Sequence, residues 1–172
     1  MTTERGWSSV TMASLAERAG VSRQTVYNDI GTRSALAEAM VLDELQRFLA
    51  LVDEAFAADP DDAVAATQNA VRSVLKYAES SELVRVIFDP LHEGRTELLP
   101  PLTTESSLLY SGAKVSLAKH LDPYLKHLSA AQREAVVDTV VRTTVSHVVQ
   151  PSGTPRQTAA GLSWVVQLAV RL

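Results

Sequence analysis

The sequence predicts an all-α protein, a small N-terminal helix-turn-helix head joined to a larger helical body. Three observations carry that prediction. Thr11–Tyr27 reads as a helix, a tight glycine turn and a second short helix. Beyond it, apolar residues recur at three- and four-residue steps in segments separated by Pro, Gly and Asp. Aromatics are only 5% of the chain while hydrophobics reach 46%, and the dominance of Ala, Val and Leu suits packed helices. A length of 172 residues allows one globular domain with a sizeable core and a small appendage. The chain carries no internal repeat and no low-complexity tract.

The head comes first. Thr11 is a good N-cap, because its hydroxyl can accept a bond from a free N–H of the first turn. Met12, Leu15, Ala16 and Ala19 follow at i, i+3, i+4 and i+7 and form one apolar face, with Glu17 and Arg18 outside it. Ala16 and Ala19 are small, so a second helix can approach closely. Gly20 ends the helix where a left-handed residue is needed. Val21 is expected to plug the core from within the turn, and Ser22 to cap the next helix. Val26 and Ile30 give that helix a buried stripe. Arg23, Gln24, Thr25, Tyr27 and Asn28 remain for contact with a partner, against a single acid, Asp29. Arg and Gln are side chains that make bidentate bonds to base edges in the major groove, so the layout is that of a DNA-reading motif.

The body follows. Thr32 to Ala58 reads as one long helix, with Leu36, Met40, Leu45, Phe48, Leu49, Val52 and Phe56 on its apolar side. Asp59-Pro60-Asp61-Asp62 stops it and caps a helix from Ala63 to Ser80, which turns Val64, Val71, Val74, Leu75 and Ala78 inward. Leu83 to Phe88 is a short apolar helix, and Asp89 to Pro101 a connector. Glu105 to His127 is expected to be helical, with Leu108, Leu109, Val115, Leu121 and Leu125 apolar and Pro123 a point of bending or interruption. Ser129 caps a helix to about Val149 whose paired valines make a wide apolar face. After a break at Pro151–Pro155, Arg156 to Leu172 closes the chain. Leu162, Val165, Val166, Ala169 and Val170 lie on one of its faces, Trp164 and Leu168 on the other. The last two helices carry more apolar surface than one core needs, which points to a homodimer through a four-helix bundle.

Charge and chemistry narrow the function. The net charge of −4 and pI near 5.5 argue against wholesale polyanion binding. In residues 1–36, Arg5, Arg18, Arg23 and Arg33 stand against Glu4, Glu17 and Asp29, four against three, a balance of +1. DNA affinity must then come from focused contacts, helix N-termini and doubling in a dimer. The absence of cysteine excludes disulfides and thiolate metal sites. His92, His120, His127 and His147 are the only histidines and have no third ligand at metal spacing, so no metal or cofactor is expected. There is no Gly-rich phosphate loop and no nucleophile elbow, so the chain is not expected to be an enzyme. Without a signal peptide or a bilayer-length apolar run, a cytoplasmic protein is expected.

Residues Gly6 to Leu36 resemble the DNA-binding region of TetR-family transcriptional regulators. The matching features are Gly6-Trp7, Thr11-Met12, the run Ala16-Glu-Arg-Ala-Gly-Val-Ser22, Thr25-Val-Tyr27 and Thr32-Arg-Ser-Ala-Leu36. Two departures accompany the resemblance. Asn28-Asp29-Ile30-Gly31 lacks the aromatic that the family usually places near Ile30, which alters phosphate contacts at the end of the reading helix. Only Met1–Arg5 precede Gly6, where the family has a full first helix, so that helix is expected to be missing and its loss to expose Leu15 and Val26. Ser22–Asn28, Leu98–Thr104 and Ser146–Ser152 are also similar to actinobacterial regulators associated with alkane and fatty-acid metabolism.

The resemblance implies a dimeric, ligand-responsive repressor, with DNA binding in 1–36 and effector binding and dimerisation in 37–172. Arg23, Gln24 and Asn28 would read bases of a palindromic double-stranded operator. Thr11, Ser22, Thr25, Tyr27 and Arg33 would hold phosphates. An apolar effector, fatty-acid-like or alkyl, would sit among Phe48, Val74, Phe88, Leu91, Leu109, Tyr110, Val115, Val141, Thr144 and His147. The alternative is a dimeric helical small-molecule-binding protein that does not bind DNA.

Overall fold

The computed structural model describes residues 10–88 and 106–172, the side chains of the latter from Tyr110 onward. The Met1–Arg5 and Gly6-Trp7 features, Leu91, His92, the Leu98–Thr104 segment and the side chain of Leu109 lie outside the described residues. Among the described residues the elements are eight α-helices and one 3₁₀ turn. These are α1 (Met12–Ala19), α2 (Arg23–Ile30), α3 (Arg33–Ala58), α4 (Ala63–Ser80), α5 (Glu82–Phe88), α6 (Ser106–Leu121), the turn Asp122–Tyr124, α7 (Ala130–Val149) and α8 (Pro155–Arg171). They fall into two compact units. The first holds described residues up to Leu45 and from Ser81 to Ser107; the second holds Gln46–Ser80 and Leu108–Leu172.

In the first unit the head is set by its caps. Thr11 is extended and its Oγ1 accepts from the Ser14 N–H at 3.1 Å, while Ser14 Oγ accepts from the Thr11 N–H, a reciprocal capping box. Gly20 ends α1 at φ +67°. There the Val21 N–H reaches the Ala16 carbonyl at 3.0 Å and the Gly20 N–H the Glu17 carbonyl at 3.3 Å, a Schellman pair that satisfies the free carbonyls of the last turn. Met12, Ala16 and Val26 form the buried seam between α1 and α2, with Leu15 and Ile30 packed against it. Leu15 is therefore half-buried and Val26 buried, not exposed. Two other expectations are corrected. Ala19 is exposed, since the seam follows Met12, Leu15 and Ala16 and the last turn runs past it. Val21 is 43% exposed, because the Schellman bonds and the Ser22 cap fix its backbone in the turn and leave its side chain outside the seam. In the same unit the buried Glu44 carboxylate accepts from the Ser81 hydroxyl, whose oxygen caps the Val84 N–H at the start of α5.

The second unit has one core. Asp62 Oδ1 accepts from the Val64 and Ala65 N–H groups at 3.0 and 2.9 Å and starts α4. Ser129 with Gln132 and Thr154 with Gln157 close capping boxes on α7 and α8, and Pro155 opens α8 where no donor is lost. The most extensive helix pair is α4 with α8, and α7 packs on both. The buried residues of these two helices include the small Ala66, Thr67 and Ala70 on α4 and Ala159 and Ser163 on α8, with the larger Val71, Val74 and Leu75 on α4 and Leu162 and Val166 on α8. The small side chains leave room for the backbones to come close, and the valines and leucines supply the larger buried area. Thr67 Oγ1 satisfies itself on the Ala63 carbonyl at 2.7 Å. Leu121, Leu125 and Val166 complete the deepest layer.

The expected Glu105–His127 helix ends at Leu121 instead. Pro123 offers no N–H and its ring opposes the carbonyl four residues back, so the chain tightens into the 3₁₀ turn. Val115 is also corrected as an inward residue. The buried face of α6 is Leu117 and Leu121, and a residue two positions from Leu117 lies about 200° away at helical pitch. Val115 is accordingly 69% exposed. No helix of the described residues is long and apolar enough to cross a membrane.

Candidate functional site

The exposed face of α2 is built by subtraction. Val26 is spent on the seam and Ile30 is half-buried, so every other side chain from Arg23 to Asp29 is exposed. Ser22 at the N-cap accepts from the Thr25 N–H at 3.1 Å, and the two hydroxyls share a further bond of 2.9 Å. Gln24 Nε2 donates to Asn28 Oδ1 at 2.9 Å, one turn on. Arg23 makes no hydrogen bond or ion pair to a described residue, so its guanidinium is available to a ligand. Tyr27 stands 53% exposed. Thr11 is exposed at the start of α1, and Arg33 is half-buried in the first turn of α3. The structure thus places Thr11, Ser22, Arg23, Gln24, Thr25, Tyr27 and Asn28 at the surface of one helical pair, with backbone N–H groups at its two N-termini.

Sequence reading missed two features of this head. Ser14 completes the α1 capping box, which the Thr-x-x-Ser spacing signals. The Gln24–Asn28 bond was readable as an i, i+4 amide pair.

The residues expected to meet an effector are distributed less simply. Within the second unit, Phe48 is half-buried and meets Tyr77 edge-on, ring centroids 5.1 Å apart. Val74 and Val141 are buried. Thr144 donates to the Val140 carbonyl at 2.8 Å. His147 Nδ1 meets the Thr143 carbonyl at 2.8 Å, and its Nε2 meets Ser152 Oγ at 2.9 Å, so both ring nitrogens have partners. The Tyr110 ring lies under Arg142, whose guanidinium carbon is 4.6 Å from the ring centroid. The Tyr110 hydroxyl oxygen is shut off from solvent without a hydrogen-bond partner. Burial pushes its pKa up, against the opposing pull of Arg142, so it stays a neutral O–H. Phe88 is half-buried in the first unit.

Val115 instead borders an open groove of about 280 Å³ between α6 and α7, floored by Ala118, Leu121, Leu125 and Val137. Lys114 and Glu134 at this groove belong to a charge network that sequence reading did not assign. Lys114 Nζ bonds Glu134 at 3.2 Å and Asp138 at 3.1 Å, and Asp138 bonds Arg142 Nε at 2.5 Å. The Asp138–Arg142 part has i, i+4 spacing and was readable; Lys114 comes from another helix and was not. The bonds from Arg142 and then Lys114 hold the Asp138 carboxyl below its ordinary range, and the Asp138 and Glu134 carboxylates hold Lys114 above its own.

The other two described histidines are engaged structurally. His120 Nε2 meets Asp53 Oδ1 at 2.6 Å while its ring stacks on Phe56, and His127 Nε2 meets the Ala169 carbonyl at 2.8 Å. Among the described residues no three acids or histidines are grouped to hold a metal ion.

Known proteins resemble this chain along nearly its whole length. Residues 1–40 match the bacterial regulatory proteins of the tetR family, and residues 62–167 match the C-terminal domain of the bacterial tetracyclin repressor. The HTH-type transcriptional regulator AlkX of Mycobacterium tuberculosis is 28% identical over 162 residues, covering 94% of this chain and 76% of that protein. The crystal structure of the TetR family repressor AlkX from Dietzia sp. strain DQ12-45-1b, implicated in biodegradation of n-alkanes, matches with a TM-score of 0.74 and 28% identity. That match covers 97% of this chain and 90% of the other.

Proposed function

The chain belongs to the TetR family of bacterial transcriptional regulators, and from that membership we propose that it is a homodimeric repressor released from a palindromic operator by a small apolar effector. The observation that carries the reading is α2, whose apolar residues are turned into the head and whose polar side chains are left at the surface. Arg23, Gln24 and Asn28 are assigned to base edges. Thr11, Ser22, Thr25, Tyr27 and Arg33 are assigned to phosphates, which fix register without reading sequence. Residues 1–36 take the DNA, and 37–172 take the effector and the second subunit.

The dimer is assigned to α7 and α8. Val145, Val149, Trp164 and Leu168 are exposed there although large and apolar, which is the signature of a surface kept for a partner. A two-fold dimer sets two reading helices about 34–36 Å apart, one turn of DNA. The effector is assigned to the apolar body, with Phe48, Val74 and Val141 as apolar wall and Tyr110, Thr144 and His147 as its polar residues. Of these, Tyr110 alone has a buried polar atom without a partner, and a ligand can supply one. The n-alkane connection of the Dietzia repressor supports an alkyl or fatty-acid ligand. Such a ligand releases DNA if it prefers a body conformation in which the heads leave their spacing.

The test is fluorescence anisotropy of the protein on duplex DNA from its own promoter over a salt series, with random duplex as control. We expect sequence-dependent affinity with a steep salt slope. Arg23→Ala should weaken specific binding by about 1–3 kcal/mol, and n-alkanes or fatty acids should release the complex. A folded dimer that binds promoter and random DNA equally would overturn the reading.

A further inference from the structure

We propose that Gln24 and Asn28 act as one hydrogen-bonded amide pair that selects adenine in each operator half-site; the proposal rests on the DNA-binding reading above. Both side chains are exposed on α2, one helical turn apart, and Gln24 Nε2 donates to Asn28 Oδ1 at 2.9 Å. On a free helix surface an amide can turn over at little cost. The bond between them favours one relation of the two amide planes.

The pattern left after that bond decides the base. Gln24 keeps its carbonyl oxygen as an acceptor, and the pair keeps N–H donors on both nitrogens. Turning both amides over together leaves the same set, one carbonyl acceptor beside N–H donors. The conclusion therefore does not depend on which atom is oxygen and which nitrogen.

In the major groove adenine offers one acceptor, N7, and one donor, the N6 amino group. That edge satisfies both kinds of group the pair presents, its acceptor and one of its donors. Guanine offers two acceptors, N7 and O6, and no donor, so the pair's carbonyl oxygen would be left without a partner. Cytosine offers only a donor and thymine an acceptor beside a methyl group. The neighbouring side chains do not duplicate this role. The Ser22 and Thr25 hydroxyls are already joined to each other, and Arg23 carries donors only, a match for guanine.

A second consequence separates a pair from two independent readers. If the bond aligns both amides, removing either one releases the other. Asn28→Ala should then damage adenine selection even though Gln24 remains, and the double variant should be little worse than either single one.

The experiment is recovery of duplexes from a pool with randomised half-sites by full-length wild type, Gln24→Ala, Asn28→Ala and the double variant, then anisotropy on the recovered duplexes. Neither side chain contributes to the seam, so folding should be retained; unchanged circular dichroism melts check this. We expect wild-type sites to hold a fixed adenine whose replacement by guanine costs about 5- to 150-fold in affinity. Each single variant should lose that preference, and the double variant should lose no more than about threefold beyond the worse single one. Recovery of the same adenine by both single variants, or losses that multiply in the double variant, would overturn the pair while leaving the regulator standing. Failure of wild type to enrich any sequence would overturn the DNA-binding reading itself, and the pair with it.

Discussion

Asp138 shows how much a single surface carboxylate can gather and how little of that converts to stability. It bonds Lys114 of α6 and Arg142 one turn along its own helix. Its pKa is lowered in the folded chain, first by the bond from Arg142 and then by that from Lys114. A depressed carboxylate contributes stability that is present above its unfolded value and lost as pH falls through the folded one. The loss therefore falls below the ordinary aspartate range, and neutral pH retains the whole effect. All three groups lie where water and salt screen them, so the contribution is that of a surface pair. Asp138→Asn should lower Tm slightly at pH 7 in low salt, and the difference should shrink at high salt and as pH falls below the ordinary aspartate range. Melts at two pH values and two salt concentrations check this. A difference unchanged by both salt and acid would mean that Asp138 acts through packing. At the same scale, Val21, Ala19 and Val115 are apolar residues found outside. Val115 stands two residues from the buried Leu117, and at about 100° per residue that distance is enough to leave the core, whereas Ala19 and Val21 lie three and five residues past Ala16, where the turn carries the chain off the seam.

The helices are more predictable than the residues within them, because their ends are written locally. Thr11, Ser22, Asp62, Ser129 and Thr154 each satisfy backbone donors within three residues of themselves. Pro123 ends α6 by the same kind of local veto. The two glycines that bound the reading helix differ in kind. Gly20 sits in the ordinary left-handed region at φ +67°, ψ +28°, and Gly31 at φ +82°, ψ −106°, beyond it. A Cβ at either meets nothing within 4 Å, so any penalty is backbone strain alone. Gly20→Ala should cost about 1 kcal/mol, and Gly31→Ala should cost more, of order 1–3 kcal/mol. Hydrogen exchange of the α1 and α2 amides is the measurement, with Gly31→Ala expected to open the head more often. Equal opening in the two variants would remove the distinction.

At the scale of the whole molecule, the body leaves one side of its last two helices unspent. Val137, Val140 and Val141 of α7 enter the core, while Val145 and Val149 do not. On α8, Leu162, Val166 and Ala169 are buried against Trp164 at 58% and Leu168 at 46% exposure. If the assigned dimer forms there, Trp164→Glu places a charge in its centre, where an unpaired buried charge is costly. We expect monomers by sedimentation and a loss of operator affinity well beyond the change in any single DNA contact. A Trp164→Glu protein that stays dimeric and binds DNA normally would remove α8 from the interface.

What the sequence determined by itself is the set of things decided within about four residues. The helix-turn-helix, its caps, the Gly20 turn and the inner and outer faces of α8 follow from side chains acting on their own backbone or on the next turn. So does the candidate reading face, since α2 has few apolar residues and all of them are needed inward. What only the tertiary structure decided is which apolar surfaces meet. That α4 packs on α8 could not be read from residues far apart in the chain. The same holds for Lys114 reaching Asp138 and for the Tyr110 hydroxyl being left without a partner. The reason is physical: hydrophobic burial is non-directional, so a helix's pattern says which face it will bury but not against what. Local hydrogen bonds are directional and short, so they are specified where they occur.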